Sequence, residues 1–402
     1  MSTMAAYADR FRRSWLADAR TVAIFGVALG TLAFWLTIPP FTTRSPVWPI
    51  LVGVLAAAAG VWSVSRGVLR LGWGAVAAGV IGIGLGVLAI HSSKGNLEEV
   101  FDASLIASML VFATPLTFGA IGGMFSERSG VVNVALEGMM LTGAFFGIYG
   151  ADKTGSWFLG ILIAMLSGGL LALVHAFFAV HLRADQIVGG IAINFLALGI
   201  TGYFFYQLYH GANISANIPR IPNVSIPWVK DQGFIGPAFG DLNLLIWVAI
   251  ALVPISYVVM FKTPIGLRIR ACGEHPRAAD TVGINVYAVR YASVVTSGVL
   301  AALGGVFLSV GFVGTFNENM TDGRGFIALA ALIFGNWRPF GAFGAALLFG
   351  FSTALAFRLP VYSDSAATLF QALPYVLTLI AVAGVIGRTI PPAAVGRPYK
   401  KQ

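Results

Sequence analysis

Twelve apolar stretches follow one another along the chain, at about residues 21–38, 47–64, 73–90, 103–124, 131–150, 156–180, 187–209, 242–261, 291–313, 325–334, 340–357 and 369–386. Most reach the ~18 residues that a helix needs to cross a hydrocarbon core of about 30 Å. Inside lipid every backbone N–H and C=O must find a partner within the protein, which leaves helices or closed barrels. Stretches this long and this apolar are helices. The piece at 325–334 is too short to cross and reads as half a span or a re-entrant segment. Only 10% of the residues are charged, against about a quarter in a soluble domain. The fold class that follows is an all-α polytopic membrane protein of about ten to twelve spans, with broken or re-entrant segments.

Charge sets the expected orientation. With both termini inside and a crossing at every stretch, the inside segments hold 18 of the 25 Lys+Arg and the outside segments seven. That bias is the positive-inside pattern; it also explains a net charge of +9 without nucleic acid as a partner, since no basic run carries interleaved aromatics. The charged segment 1–20 and the apolar run 21–38 resemble a signal peptide. The run is long enough to span, however, and no small-x-small cleavage pattern follows it before Pro39-Pro40, so an uncleaved first span is expected. Residues 1–100 read as an N-terminal extension with about three spans, 101–390 as the core, and 391–402 as a tail on the inner side.

Several chemistries are excluded. Cys272 is the only cysteine, so the chain forms neither an intrachain disulfide nor a thiolate metal cluster. His91, His175, His181, His210 and His275 show no paired spacing on one helix face. No GxxxxGK[ST] loop is present, so ATP is not used here in the P-loop manner. No paired carboxylates or nucleophile elbow point to an enzyme.

The ionisable and polar residues concentrate in 122–146, where Glu127, Arg128, Asn133 and Glu137 stand among glycines. Such groups near membrane depth cost at least a few kcal/mol each and mark function by default, so this stretch reads as part of a permeation route. Glu137 either faces that route or serves as a structural anion, paired with an arginine such as Arg128 or capping a broken helix. Asn133 either contacts solute or bonds to a neighbouring helix. Asn194 is a second candidate lining group, and Phe125 and Phe195 are candidates to stack on a base or to pack ordinarily. Asn317, Glu318 and Asn319 either line an entrance or form a solvated loop. The runs GAIGGMF (119–125) and ALGGVF (302–307), each followed by a polar break and another apolar piece, suggest an inverted repeat.

Two connections are long. Residues 210–240, rich in Pro, Asn and Gly, lie outside and either dock a partner or cap the surface. Residues 262–290 lie inside, basic and amphipathic, with a short helix expected around 274–282 that Pro276 starts and Gly283 ends. Through Lys262, Arg268, Arg270, Arg277 and Arg290 this loop would also suit an anionic lipid surface.

The run FSERSGVVNVALEGMM, Phe125–Met140, resembles the signature of permease subunits of bacterial ABC importers, in the branch for nucleosides related to ribose and other simple-sugar permeases. The segment Gly273–Val286 is similar to that family's G-x-N-P-x-A-A-x-x-x-G-I element, which contacts the ATPase. Gly273, Pro276, Ala278, Ala279, Gly283 and Ile284 carry the match; Glu274 and Asp280 complete the segment, and His275 stands where asparagine is common. The resemblance covers about 100–390. It implies a multi-pass subunit of the bacterial cell membrane carrying nucleosides, purine nucleosides foremost; the charge count adds both termini on the cytoplasmic side, and Phe125, Asn133, Glu137, Asn194 and Phe195 are the candidates for the path. The implied partners are a cytoplasmic ATPase that uses ATP and Mg, a second permease in a heterodimer, and an extracellular lipid-anchored binding protein; this chain holds no cofactor. Alternatives are a ribose or other sugar permease, or an ion-coupled carrier in which Glu137 titrates.

Overall fold

The structure is a computed structural model and describes residues 19–34, 36, 47–91, 102–211, 218–233, 235–358 and 389–401. The stretch expected at 369–386 lies outside the described residues, as does most of the segment before residue 21. Two compact units divide the chain: residues 1–105 with 352–387, and residues 106–351 with 388–402.

In the first unit three helices are described: α1 (Ala19–Phe34), α2 (Val47–Ser65) and α3 (Leu69–His91). The buried positions of α2, namely Pro49, Gly53, Ala56, Gly60 and Ser63, follow a 4-3-4-3 spacing and form one seam of small residues. Lipid supplies no hydrophobic drive between helices, so close backbone contact must do the holding. A Cβ added at Gly60 would sit 2.6 Å from the Gly72 carbonyl of α3. The large side chains, Trp48, Leu51, Val54 and Trp62 among them, point outward. Asp102 and Arg358 form an ion pair at 2.6 Å in this unit.

The second unit contains α4 (Ser104–Arg128), α5 (Leu136–Thr154), α6 (Trp157–Ala176), α7 (Gln186–Tyr209), α8 (Pro227–Lys230), α9 (Ile235–Phe239), α10 (Leu244–Lys262), α11 (Pro264–Glu274), α12 (Pro276–Thr281), α13 (Val286–Val306), α14 (Arg324–Phe334) and α15 (Pro339–Arg358), of which α4 and α15 run on into the first unit. π-helical segments extend α6 to His181 and α13 to Val313. Among the described residues seven helices are long and apolar enough to cross a membrane, and α14 is one of three shorter apolar ones. A two-stranded antiparallel ribbon, β1 (Asn223–Ser225) with β2 (Asp241–Asn243), pairs Asn223 with Asn243 and closes the long connection before α10. Asn243 then caps α10 through the Leu245 N–H at 3.0 Å.

Helix α13 is buried along most of its length and forms the hub. Gly122 of α4 faces the Ser297 carbonyl and Gly304 faces that of Pro115, so α4 and α13 run antiparallel. A Cβ at Gly305 would run into the Met140 carbonyl of α5, and one at Gly143 into Ala302. Those contacts require glycine. Each of the two helices leads into a break and a new helix: 129–135 before α5, and 314–323 before α14. Opposed helix–break–helix segments are the arrangement expected of the inverted repeat. The apolar stretch expected to span from 131 starts its helix only at Leu136, because Gly130 (φ +96°) ends α4 and the chain then runs irregularly.

Candidate functional site

Glu137 joins the two breaks. It lies in the first turn of α5, and its carboxylate accepts the Gly323 N–H at 2.9 Å and the Gly325 N–H at 2.5 Å, at the start of α14. Helix N-termini present unpaired N–H groups and a partial positive charge, so one buried carboxylate serves two helix starts. Arg128 is not its partner. The arginine donates from Nε and Nη2 to the Trp337 carbonyl at 3.1 and 3.0 Å and stands over the Phe261 ring. Of the two structural roles weighed for Glu137, the structure shows the capping of a broken helix and not the pairing with Arg128, which is engaged by the Trp337 carbonyl in the turn between α14 and α15.

Asn133 and Asn194 have their amides in use. Asn133 donates to Ser297 Oγ at 2.8 Å and accepts the Ala135 N–H at 3.1 Å, while fully buried. Asn194 accepts the Gly138 N–H at 2.8 Å and donates to the Val134 carbonyl at 3.0 Å, so α7 caps the start of α5. The Val132 N–H goes to Gln186 Oε1 at 2.7 Å. The break is thus sutured to its neighbours, as buried backbone requires. Phe125 packs in the core and Phe195, 69% exposed, faces away from it. The five residues expected on a path are not brought to one surface.

At the other end of α4 the polar residues hold a second junction. Trp337 adopts φ +53°, a costly conformation for a bulky residue. Glu127, buried, accepts its indole N–H at 2.6 Å, while Arg128 holds its carbonyl. Fully buried Arg290 donates to the Ser129 carbonyl at 3.1 Å and to that of Arg397 at 3.2 Å. Gly273 lies so close to the Arg128 carbonyl that a Cβ there would collide with it. The loop expected at 262–290 holds two helices, α11 as well as α12. Pro276 opens α12; at its end the Gly283 N–H bonds to the Asp280 carbonyl at 2.9 Å and the Ile284 N–H to that of Ala279 at 3.1 Å, with Gly283 at φ +85°. This is the Schellman closure, for which glycine is the usual residue. Ala279 is buried against Cys272, Val286 and Tyr399, while Glu274, Ala278, Thr281 and Val282 are exposed.

Residues 389–401 lie across this junction, a contact that no sequence pattern signalled. Their N–H groups reach Asn336 Oδ1 from Ile390, Glu274 from Ala393 and the Gly273 carbonyl from Ala394. Tyr399 packs on Tyr287, whose hydroxyl donates to the Tyr399 carbonyl at 3.4 Å. Burial pushes the Cys272 thiol up to about 11, with Arg290 pulling the other way. Only the thiolate reacts quickly, so maleimide labelling of the folded chain should be slow at pH 8 and gain about tenfold per pH unit towards the thiol's pKa. Removing residues 389–402 should raise the rate by uncovering the sulfur. Equal labelling with and without the tail would show that the tail does not cover it.

A cleft of about 300 Å³ opens at the start of α14. Phe112 of α4 and Leu308 and Phe312 of the π-helical segment give it an apolar wall, and Asn317, Asp322 and Arg324 give it a polar rim. Of these, only Asn317 stood out in the sequence; the others are separated by about two hundred residues and follow no motif.

Residues 105–382 match the family described as "Branched-chain amino acid transport system / permease component". The chain is 45% identical to the guanosine ABC transporter permease protein NupQ of Bacillus subtilis, over 74% of this chain and 96% of that protein. It is 41% identical to the nucleoside ABC transporter permease protein NupC of Lactococcus lactis, with the same coverage. A putative glucose ABC transporter permease protein of Haloferax volcanii, TsgC13, is 34% identical over 64% of this chain and 78% of its own length. Bacillus subtilis also has a second guanosine ABC transporter permease protein, NupP, 23% identical to this chain. No solved structure matches significantly. A multi-pass helical membrane protein with these relatives is a transport subunit: the chain belongs to the family of ABC transporter permease components.

Proposed function

We propose that this chain is the permease subunit of an ATP-driven nucleoside importer, with guanosine the leading cargo. The likeness to NupQ at 45% identity over nearly that protein's whole length carries the reading. Energy comes from a separate cytoplasmic ATPase that binds ATP and Mg. It acts on the α11–α12 hairpin, where an exposed face of Glu274, Ala278, Thr281 and Val282 stands on a packed base of Gly273, Ala279, Asp280 and Ile284. That base touches the end of α4, the α4–α5 break through Arg290, and the tail, so a push on it reaches both broken helices. The positive-inside count supports a cytoplasmic position for this hairpin and both termini, with the connection 210–240 on the side where a lipid-anchored binding protein would deliver solute. The existence of both NupQ and NupP in one organism supports a heterodimer with a second permease, the path running between the two.

Proteoliposomes test this. Together with its ATPase, second permease and binding protein, the chain should accumulate guanosine in an ATP-dependent way, and alone it should accumulate none under a pH or sodium gradient. Gradient-driven uptake by the chain alone would overturn the proposal. The relative from Haloferax favours sugar as a second reading; effective competition of guanosine uptake by ribose or glucose would establish it.

A further inference from the structure

The structure assigns to the cleft at the start of α14 the role of a transit station for a 6-oxopurine nucleoside, with Phe312 against the base and Asp322 reading its N1–H and 2-amino edge. This rests on the nucleoside reading and names the residues that would serve it.

A purine nucleoside offers two flat faces and a polar perimeter. The cleft has the corresponding parts: Phe312, 47% exposed, is set edge-on to Phe112 at 6.0 Å and stacked on Phe307 at 6.5 Å, so its position is fixed while part of the ring stays open. Stacking on such a ring is worth a good deal per base and tolerates any base. Selection must come from the rim. Among the described residues the Asp322 carboxylate has no hydrogen-bond or ion-pair partner, and it is exposed. Guanine presents N1–H and a 2-amino N–H side by side, which two oxygens of one carboxylate accept together. Adenine has an acceptor at N1 and no 2-amino group, and hypoxanthine has N1–H alone.

Arg324 completes the set. Its Nη1 is held by the Met320 and Thr321 carbonyls at 3.2 and 3.0 Å. The rest of the guanidinium has no protein partner among the described residues, and arginine is the usual reader of the O6/N7 edge of guanine. Glu137 holds the N–H groups of Gly323 and Gly325, on either side of Arg324, so the rim is braced by a buried carboxylate. Asp322 itself is in the left-handed region at φ +43°, which this bracing sustains. An open cleft of about 300 Å³ is at the small end of ligand sites, and a path must bind weakly enough to release.

The test uses the complete transporter with binding protein at saturation. Asp322→Asn should lower the maximal rate for guanosine about tenfold, the worth of one charge-assisted hydrogen bond, and that for inosine by clearly less. Phe312→Ala should lower both, and Phe312→Tyr should restore them. Equal losses for the two nucleosides in Asp322→Asn, or none, would overturn the assignment while leaving the transport reading intact. A wild-type complex that moves no nucleoside would remove both. Should Asp322→Asn fail to assemble, maleimide labelling of Asn317→Cys in the purified complex decides. Guanosine should slow that labelling where ribose does not, and labelling indifferent to guanosine would overturn the assignment.

Discussion

Glu137→Ala is expected to cost roughly 3–5 kcal/mol of stability, the usual penalty for removing one partner of a buried charged contact. Two N–H donors, that of Gly325 buried and that of Gly323 half-buried, lose their acceptor at once, and a buried orphan costs about 1–3 kcal/mol. The partial positive ends of α5 and α14 are left facing each other with no anion between them. Water does not refill the gap easily, because Gly325 packs directly on the Glu137 backbone. In detergent the thermal midpoint, followed by tryptophan fluorescence, should fall by roughly 6–10 °C. Glu137→Gln should fall between: its carbonyl keeps one bond, but its NH2 meets a donor. A titrating residue of an ion-coupled carrier would behave differently, since Gln would then abolish gradient coupling at an unchanged midpoint. A wild-type midpoint in Glu137→Gln would refute the bracing role.

What was legible in the sequence is what lipid and local backbone chemistry dictate. The apolar run at 187–209 is α7 almost to the residue, and the short run at 325–334 is the short helix α14. Pro276 and Gly283 bound α12 because their effects act within a turn. That the cluster of Glu127, Arg128, Asn133 and Glu137 matters was legible too, from cost alone; Glu127, Asn133 and Glu137 are buried and Arg128 is half-buried. Their partners were not. Glu137 reaches residues 186 and 188 positions away, and Glu127 reaches Trp337, 210 away. A buried polar group announces that it needs a partner, and nothing periodic says which distant segment supplies it. For Glu137 the residues left open an arginine partner such as Arg128 or the capping of a broken helix, and only the fold, in which α4 ends between the two, selects the cap. Side chains placed on a route for their polarity, Asn133 and Asn194, turn out to satisfy backbone that the breaks expose. The tail's docking on Gly273 and Arg290 was hidden because a polar, proline-containing terminus carries no pattern.

Ala278→Trp and Ala279→Trp should separate the surface of the α11–α12 hairpin from its support, although the two residues are neighbours. Ala278 is exposed, and with Val282, 74% exposed one turn on, it forms the apolar part of the face proposed to meet the ATPase. A bulky side chain there meets nothing within the chain, so stability should stay within about 0.5 kcal/mol, as for most surface changes. An indole on a face that must seat in a partner's groove should nonetheless lower ATP-driven uptake at least about tenfold, which is ~1.4 kcal/mol, and the ATPase should no longer copurify. Ala279 points the other way, into the contact among Cys272, Val286 and Tyr399. Overpacking there costs about 1–3 kcal/mol and should lift Tyr399 with the tail, so that thermal midpoint and Cys272 protection fall together. Ala278→Trp transporting at the wild-type rate, with the ATPase still bound, would show that force enters this chain somewhere other than α12. A lowered midpoint in Ala278→Trp would show instead that its side chain is not on the free face.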